Sequence, residues 1–238
     1  LLLVTFLKQI VFAAIIPLWH GPDEQAHFAQ VQYIAEFGHP VANDNKVKDL
    51  SQEIFISEQL LGIQRDEFGK NKFTHNPAYR IEYTLSRIGK YELLINSLPL
   101  DSRTTFVKFE ATRYPPLFYY LSTAPYRLGY NLGLIDRVFL ARVASILMAV
   151  ATVWLVYKIG LLLFPGSNLL PLTLATLVSF QPMASFLFSS VNSDNLMNLL
   201  FTLLLYWCVW LISVRRVTIF TALGLGATLI AGLLTKPH

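Results

Sequence analysis

Residues 138–164 read VFLARVASILMAVATVWLVYKIGLLLF, and over those 27 positions only Arg142 and Lys158 carry charge. A helix needs about 20 predominantly apolar residues to cross the hydrocarbon layer of a bilayer, and this run exceeds that length. Its reading decides the class of the chain. Comparable runs lie outward from it at 1–19, 168–190, 195–213 and 217–235. The composition agrees: 54% hydrophobic and 14% charged residues with a mean hydropathy of +0.47, where soluble domains carry roughly 25% charged residues. The breaks between the later runs, at Pro165-Gly166-Ser167, Val191-Asn192-Ser193-Asp194 and Arg215-Arg216, are too short for domains and predict antiparallel helical hairpins.

The first run ends at Trp19, which reads as an interfacial anchor. Trp-His-Gly-Pro follows in place of a small-residue cleavage site, which favours a membrane helix over a signal peptide. Cys208 is the single cysteine and lies in an apolar run, so disulfides do not staple this fold.

The net charge of +4 divides unevenly. From His20 to Arg137 there are 13 Lys and Arg against 14 Asp and Glu, whereas Val138 to His238 holds five cations and one acid, Asp194. A polar insert at 20–137 thus interrupts a membrane bundle formed by 1–19 and 138–238. Basic residues in short loops mark the cytoplasmic side. Lys158, Arg215 and Arg216 therefore predict a cytoplasmic N-terminus, an extracytoplasmic insert, and an extracytoplasmic position for Asn192–Asp194 and Lys236.

Within the insert, GPDEQAHFAQVQYIAEFG has Pro22 where a helix begins, acids in its first turn and Gly38 as a stop, so a helix is expected over about 22–37. Phe28, Val31, Ile34 and Ala35 recur at helical spacing and predict one buried face. Residues 40–110 are polar with weak helical patterns, as at 50–61. Tyr114-Pro115-Pro116-Leu117-Phe118-Tyr119-Tyr120 returns the chain to the membrane, and about 115–132 reads as an interfacial helix.

Three groups carry candidate chemistry. Asp23, Glu24 and His27 fit one helical face; they suit a divalent ion such as Mg or Mn without requiring one, and equally a plain helix start with an interfacial histidine. Asp194, at the outer end of its run, is either a functional acid or a helix cap. Arg142, Lys236 and Arg113 are placed to meet a phosphate at headgroup level, or to snorkel to lipid. Acids and cations on one outer rim suggest a lipid-linked anionic substrate. There is no phosphate-cradling Gly-rich loop, dinucleotide fingerprint, nucleophile elbow or basic aromatic patch, so nothing calls for a soluble nucleotide cofactor or a nucleic-acid partner.

Taken in order, Pro22-Asp23-Glu24-Gln25-Ala26-His27-Phe28, the long outer loop, Tyr114-Pro115-Pro116-Leu117-Phe118-Tyr119, Ala141-Arg142, Asn192-Ser193-Asp194 and Leu234-Thr235-Lys236-Pro237 resemble the GT-C class of integral membrane glycosyltransferases. The pattern is most similar to bacterial relatives of protein O-mannosyltransferases and of the aminoarabinose-to-lipid A transferase, among them a group of little-characterised membrane proteins. The resemblance implies an all-α, GT-C-like helical bundle, here with about five transmembrane helices, in a bacterial plasma membrane. It implies inverting transfer of a sugar from a polyprenyl-phosphate donor to a lipid, glycan or protein hydroxyl. Asp23 would then be the general base, Glu24 its neighbour, and Asp194 a second acid of the same cavity. Gln25 and Ala26 both separate Glu24 from His27, one residue more than the Asp-Glu-x-His-Phe pattern of the mannosyltransferases. Members of the class usually have about ten or more membrane helices, so the chain, which starts on Leu, is expected to be a piece of a longer protein. The alternative expectation is a non-catalytic membrane subunit of a larger complex. A transporter would show broken helices with polar residues near the midplane, whereas the polar residues here gather at the ends of the runs.

Overall fold

A computed structural model describes residues 1–42, 47–63, 84–109 and 114–236. The protein is an all-α membrane protein. Its helices are α1 (Leu2–Ile15), α2 (Glu24–Phe37), α3 (Gln52–Leu60), α4 (Leu85–Asn96), α5 (Leu117–Leu128), α6 (Leu134–Leu163), α7 (Leu169–Ser179), α8 (Pro182–Phe188), α9 (Asp194–Val214) and α10 (Ile219–Leu233). Two short strands, β1 (Leu50–Ser51) and β2 (Phe106–Lys108), pair antiparallel inside the insert.

Helices α6 and α9 are long and apolar enough to cross a membrane. The run 168–190, read as one span, holds two helices, α7 and α8, bent by 62° at a short break. Pro182 explains the break: it lacks an amide hydrogen, and it starts α8 beside Gln181, whose side chain accepts from the Ala184 amide. The runs 1–19 and 217–235 hold helices of 14 and 15 residues. At 1.5 Å per residue these span about 21–23 Å, short of a hydrocarbon layer of about 30 Å. Pro17 limits α1, because the residue before a proline is driven out of the helical region; Ile16 accordingly takes an extended conformation.

Helix α6 is the hub, packed by α1, α5, α7 and α9, while α10 leans on α9. The core lies where the insert meets this hub, with Phe28, Ile34, Ile54, Phe118, Tyr126, Leu134 and Val138 all buried. Helix α2 departs from the single-faced expectation, since eleven of its fourteen residues are buried, Gln25, His27, Gln30 and Gln32 among them. Trp19 departs too: it is 3% exposed, packs on Phe28 and donates to Ser57 Oγ at 2.8 Å, so it anchors the insert rather than a lipid interface.

Buried polar residues fix the insert on the hub. Arg137 of α6 makes a two-pronged pair with Glu53 of α3 at 2.9 and 2.7 Å and also donates to Tyr126 Oη and the Leu132 carbonyl. Tyr126 and Tyr130 both donate to Glu36, and Arg103 donates to the Tyr130 carbonyl. Arg137 and Glu53 meet opposite charge, as burial demands, whereas Arg103 engages only Nη1 and leaves Nε and Nη2 without hydrogen-bond partners.

Candidate functional site

The α1–α2 turn is built for close approach. Trp19 and Asp23 both take positive φ, 64° and 52°, and aspartate tolerates this region better than most residues. Between them, a Cβ at Gly21 would lie 2.4 Å from Ser190 Cβ, so only glycine lets the turn settle against the α8–α9 segment. That segment is tied back: Asn192 donates to the Pro22 carbonyl, and the Val191 amide donates to Glu24 Oε1 at 3.0 Å. The N-terminal acids and Asp194 are thereby locked at one end of the bundle.

Glu24 and Arg142 form the interior of this junction. Glu24 is fully buried and takes Arg142 Nε and Nη2 at 2.8 and 2.7 Å. The same guanidinium donates to the carbonyls of Ala13, Ile16 and Pro17. The Ala13 and Ile16 carbonyls are among those that a helix ended by proline leaves without intrahelical partners, and a cation at a helix C-terminus also suits the dipole. One arginine thus closes α1, anchors the start of α2 and belongs to α6. This corrects the assignment of Arg142 to a donor phosphate, since all five of its donors are engaged inside the protein.

The metal set is corrected on similar grounds. Glu24 uses both oxygens on Arg142 and Val191, and His27 Nδ1 shares a 2.9 Å hydrogen bond with Tyr119 Oη. Among the described residues no group of three His, Cys, Asp or Glu side chains gathers to hold an ion. Asp23, Glu24 and His27 therefore do not fit a divalent metal.

What faces outward is a smaller group. Asp23 starts α2 but makes no capping bond with its side chain, and it is exposed. Asn192 Oδ1 accepts from the Asp194 amide in an Asx turn just before α9, whose cap residue is Ser193, while the Asp194 carboxylate receives Lys236 Nζ at 2.7 Å. Lys236 also lies 4.9 Å from the centre of the Tyr114 ring, and that ring stacks on His27. Lys236 is brought here by the Leu117 amide, which bonds the Leu234 carbonyl and joins the start of α5 to the end of α10. Arg113 lies outside the described residues.

The electrostatics follow from burial. His27, packed between Tyr114 and Tyr119, has its pKa lowered to about 4 because burial disfavours the imidazolium; the charges of Asp23 and Asp194 oppose that shift without cancelling it. Burial likewise pushes the Tyr119 hydroxyl well above its ordinary value. Both groups are neutral at physiological pH. The Lys236 pKa is raised, first by its hydrogen bond to Asp194, so it stays an ammonium. The rim therefore presents two carboxylates, one ammonium and an aromatic ring over a neutral buried floor. Tyr114, Tyr119 and Asn192 were not singled out as site residues from the sequence, although the tyrosine cluster before and after Pro115-Pro116 was visible in it.

Fold and site together define an integral membrane protein with a charged rim at the insert end of its bundle. A family model described as "Predicted membrane protein (DUF2142)" matches residues 6–236, and the chain belongs to that family. No curated protein and no solved structure matches it.

Proposed function

We propose that this protein is a membrane glycosyltransferase that moves a sugar from a polyprenyl-phosphate donor to a hydroxyl acceptor at the extracytoplasmic face. The observation that carries the reading is the convergence of Asp23, Asp194 and Lys236, from three distant parts of the chain, around His27 and Tyr114. Arg215 and Arg216 follow the far end of α9 and Lys158 lies toward the far end of α6, which supports an extracytoplasmic position for the rim.

In the reaction, the acceptor oxygen forms a bond to the anomeric carbon as the bond from that carbon to the phosphate oxygen breaks. The hydroxyl proton passes to the Asp23 carboxylate, and the phosphate departs as an anion beside Lys236. Base catalysis is worth typically 10² to 10⁴ in rate, and a fixed cation stabilises the charge growing on the leaving group. Attack opposite the leaving group inverts the anomeric carbon. Glu24 is a positioning residue: paired with Arg142, it fixes the turn that presents Asp23. Purified full-length protein given a defined polyprenyl-phosphate sugar should lose at least about 100-fold in transfer when Asp23→Asn is introduced. Undiminished transfer by that variant would remove Asp23 from the chemistry.

One observation favours a second reading, translocation of a substrate through the bundle. The α7–α8 break is met by Lys8 of α1, whose ammonium donates to the Ser179 carbonyl and to Ser185 Oγ, while Gln9 accepts from Ser189 Oγ at 2.6 Å. Broken helices with polar partners line the sites of many transporters. Here the lysine fills the break, and uptake of a labelled polyprenyl-phosphate sugar into vesicles, with no transfer product formed, would favour translocation over transfer.

A further inference from the structure

A pocket of about 490 Å³ opens between α1, α4 and α6, within the size range of small-molecule sites. Ala14 and Ile15 of α1, Ile95 of α4 and Phe139 of α6 give it apolar walls, and Glu92 of α4 and Asp136 of α6 add two carboxylates. Both acids are exposed, and among the described residues neither takes a hydrogen bond or an ion pair. Arg142 also borders the pocket, but Glu24 neutralises it and its donors are engaged by Glu24 and three backbone carbonyls.

The field in this pocket is therefore negative, and the end of α1 adds to it. The last turn of α1 lines the pocket, which brings the negative pole of its dipole there, and the Ala14 and Ile15 carbonyls are not among those that Arg142 takes. Asp136 has a structural reason to be acidic, since it sits in the first turn of α6, where a carboxylate suits the positive pole. Glu92 has no such reason: it stands near the C-terminal end of α4, where the pole is negative and a cation is favoured. A ligand cation against both acids supplies one. The setting selects what carries that cation. Leu93 and Leu94, next to Glu92, are 75% and 43% exposed, and Ile15 is 71% exposed, which places the mouth of the pocket against acyl chains.

We propose that this pocket binds the headgroup of phosphatidylethanolamine, with its primary ammonium against Glu92 and Asp136 and the adjoining hydrocarbon on the Ile95 and Phe139 wall. A primary ammonium brings three N–H donors to two carboxylates and the end of α1, whereas a fully methylated choline head brings none. The bound lipid braces α1, α4 and α6 beside the Arg142 junction. The site is independent of the transferase reading.

The test is lipid binding to the full chain in detergent, measured by native mass spectrometry with phosphatidylethanolamine and phosphatidylcholine of matched acyl chains. The ethanolamine lipid should bind at least about tenfold more tightly, as expected for charge-assisted hydrogen bonds that a choline head cannot make. Monomethylated and dimethylated heads should fall in between. The double variant Glu92→Gln, Asp136→Asn should bring the preference to within about twofold, with melting in phosphatidylcholine unchanged because both acids are exposed. Ala14→Trp, at an exposed lining position, should remove the preference by filling the pocket. Equal binding of the two lipids, or a preference that survives either variant, would overturn the proposal. So would displacement of the lipid by equimolar spermidine, which would mark a site for a soluble polyamine.

Discussion

Among the described residues, three ion pairs drawn to 2.7 Å join distant parts of this protein near one end of the bundle, and they differ in how far water reaches them. Arg142–Glu24 and Arg137–Glu53 are sealed, with every side chain at 5% exposure or less. Lys236–Asp194 is open. Sealed charges are expensive to separate, because breaking one leaves a buried ion without a partner, and they therefore hold elements in place. An open pair holds little and exchanges partners readily. Both sealed pairs use the planar, five-donor fork of arginine, and the open one uses lysine, a compact charge on a flexible stem. Architecture and chemistry are divided between the two cations accordingly.

The division breaks first, if it breaks, at the sealed pairs. Arg142→Gln should cost about 3–5 kcal/mol, seen as loss of monodisperse protein and a lowered melting temperature, since it strands Glu24 and the α1 carbonyls together. Arg137→Gln should act similarly through Glu53. A melting temperature unchanged in both would mean that these pairs are not structural.

Acid should produce the next largest effect. The folded His27 pKa of about 4 lies below the unfolded value of 6.5, so between those values the unfolded chain binds the proton and the folded one does not. Stability is then full above pH 6.5 and falls by about 3 kcal/mol as pH drops toward 4. The decline should flatten in His27→Phe, and a slope identical in both proteins would assign it to other groups.

Smaller effects sharpen the contrast. Gly21→Ala should cost about 1–3 kcal/mol by pressing on Ser190, read by thermal unfolding. Lys236→Met should cost under about 1 kcal/mol on the same scale, the mark of an open pair.

Much of this was legible in the sequence, and the limits have physical causes. The lengths of 138–164 and 195–213 announced α6 and α9, and Pro22 with Gly38 bracketed α2, because length and helix punctuation are local properties. Asp23, Asp194 and Lys236 were expected on one side from an alternation of five spans; they do lie together, although only two or three of those runs form helices long enough to cross a membrane. The sequence did not reveal that Arg142 faces inward. A cation near a helix end looks alike whether it meets lipid phosphate or a neighbouring helix terminus, and only packing separates the two. Pro182 was likewise read through as part of one span, since a proline inside a long apolar run either kinks a helix or starts a new one. The partnership of Glu53 with Arg137 spans 84 positions and leaves no periodic trace.

The most direct trial of this division is melting and sugar transfer measured on one preparation of Lys236→Met. We predict wild-type melting to within about 4 °C with transfer from a polyprenyl-phosphate donor reduced at least about tenfold. Wild-type transfer, or collapse of the fold, would contradict the assignment of chemistry to the open pair.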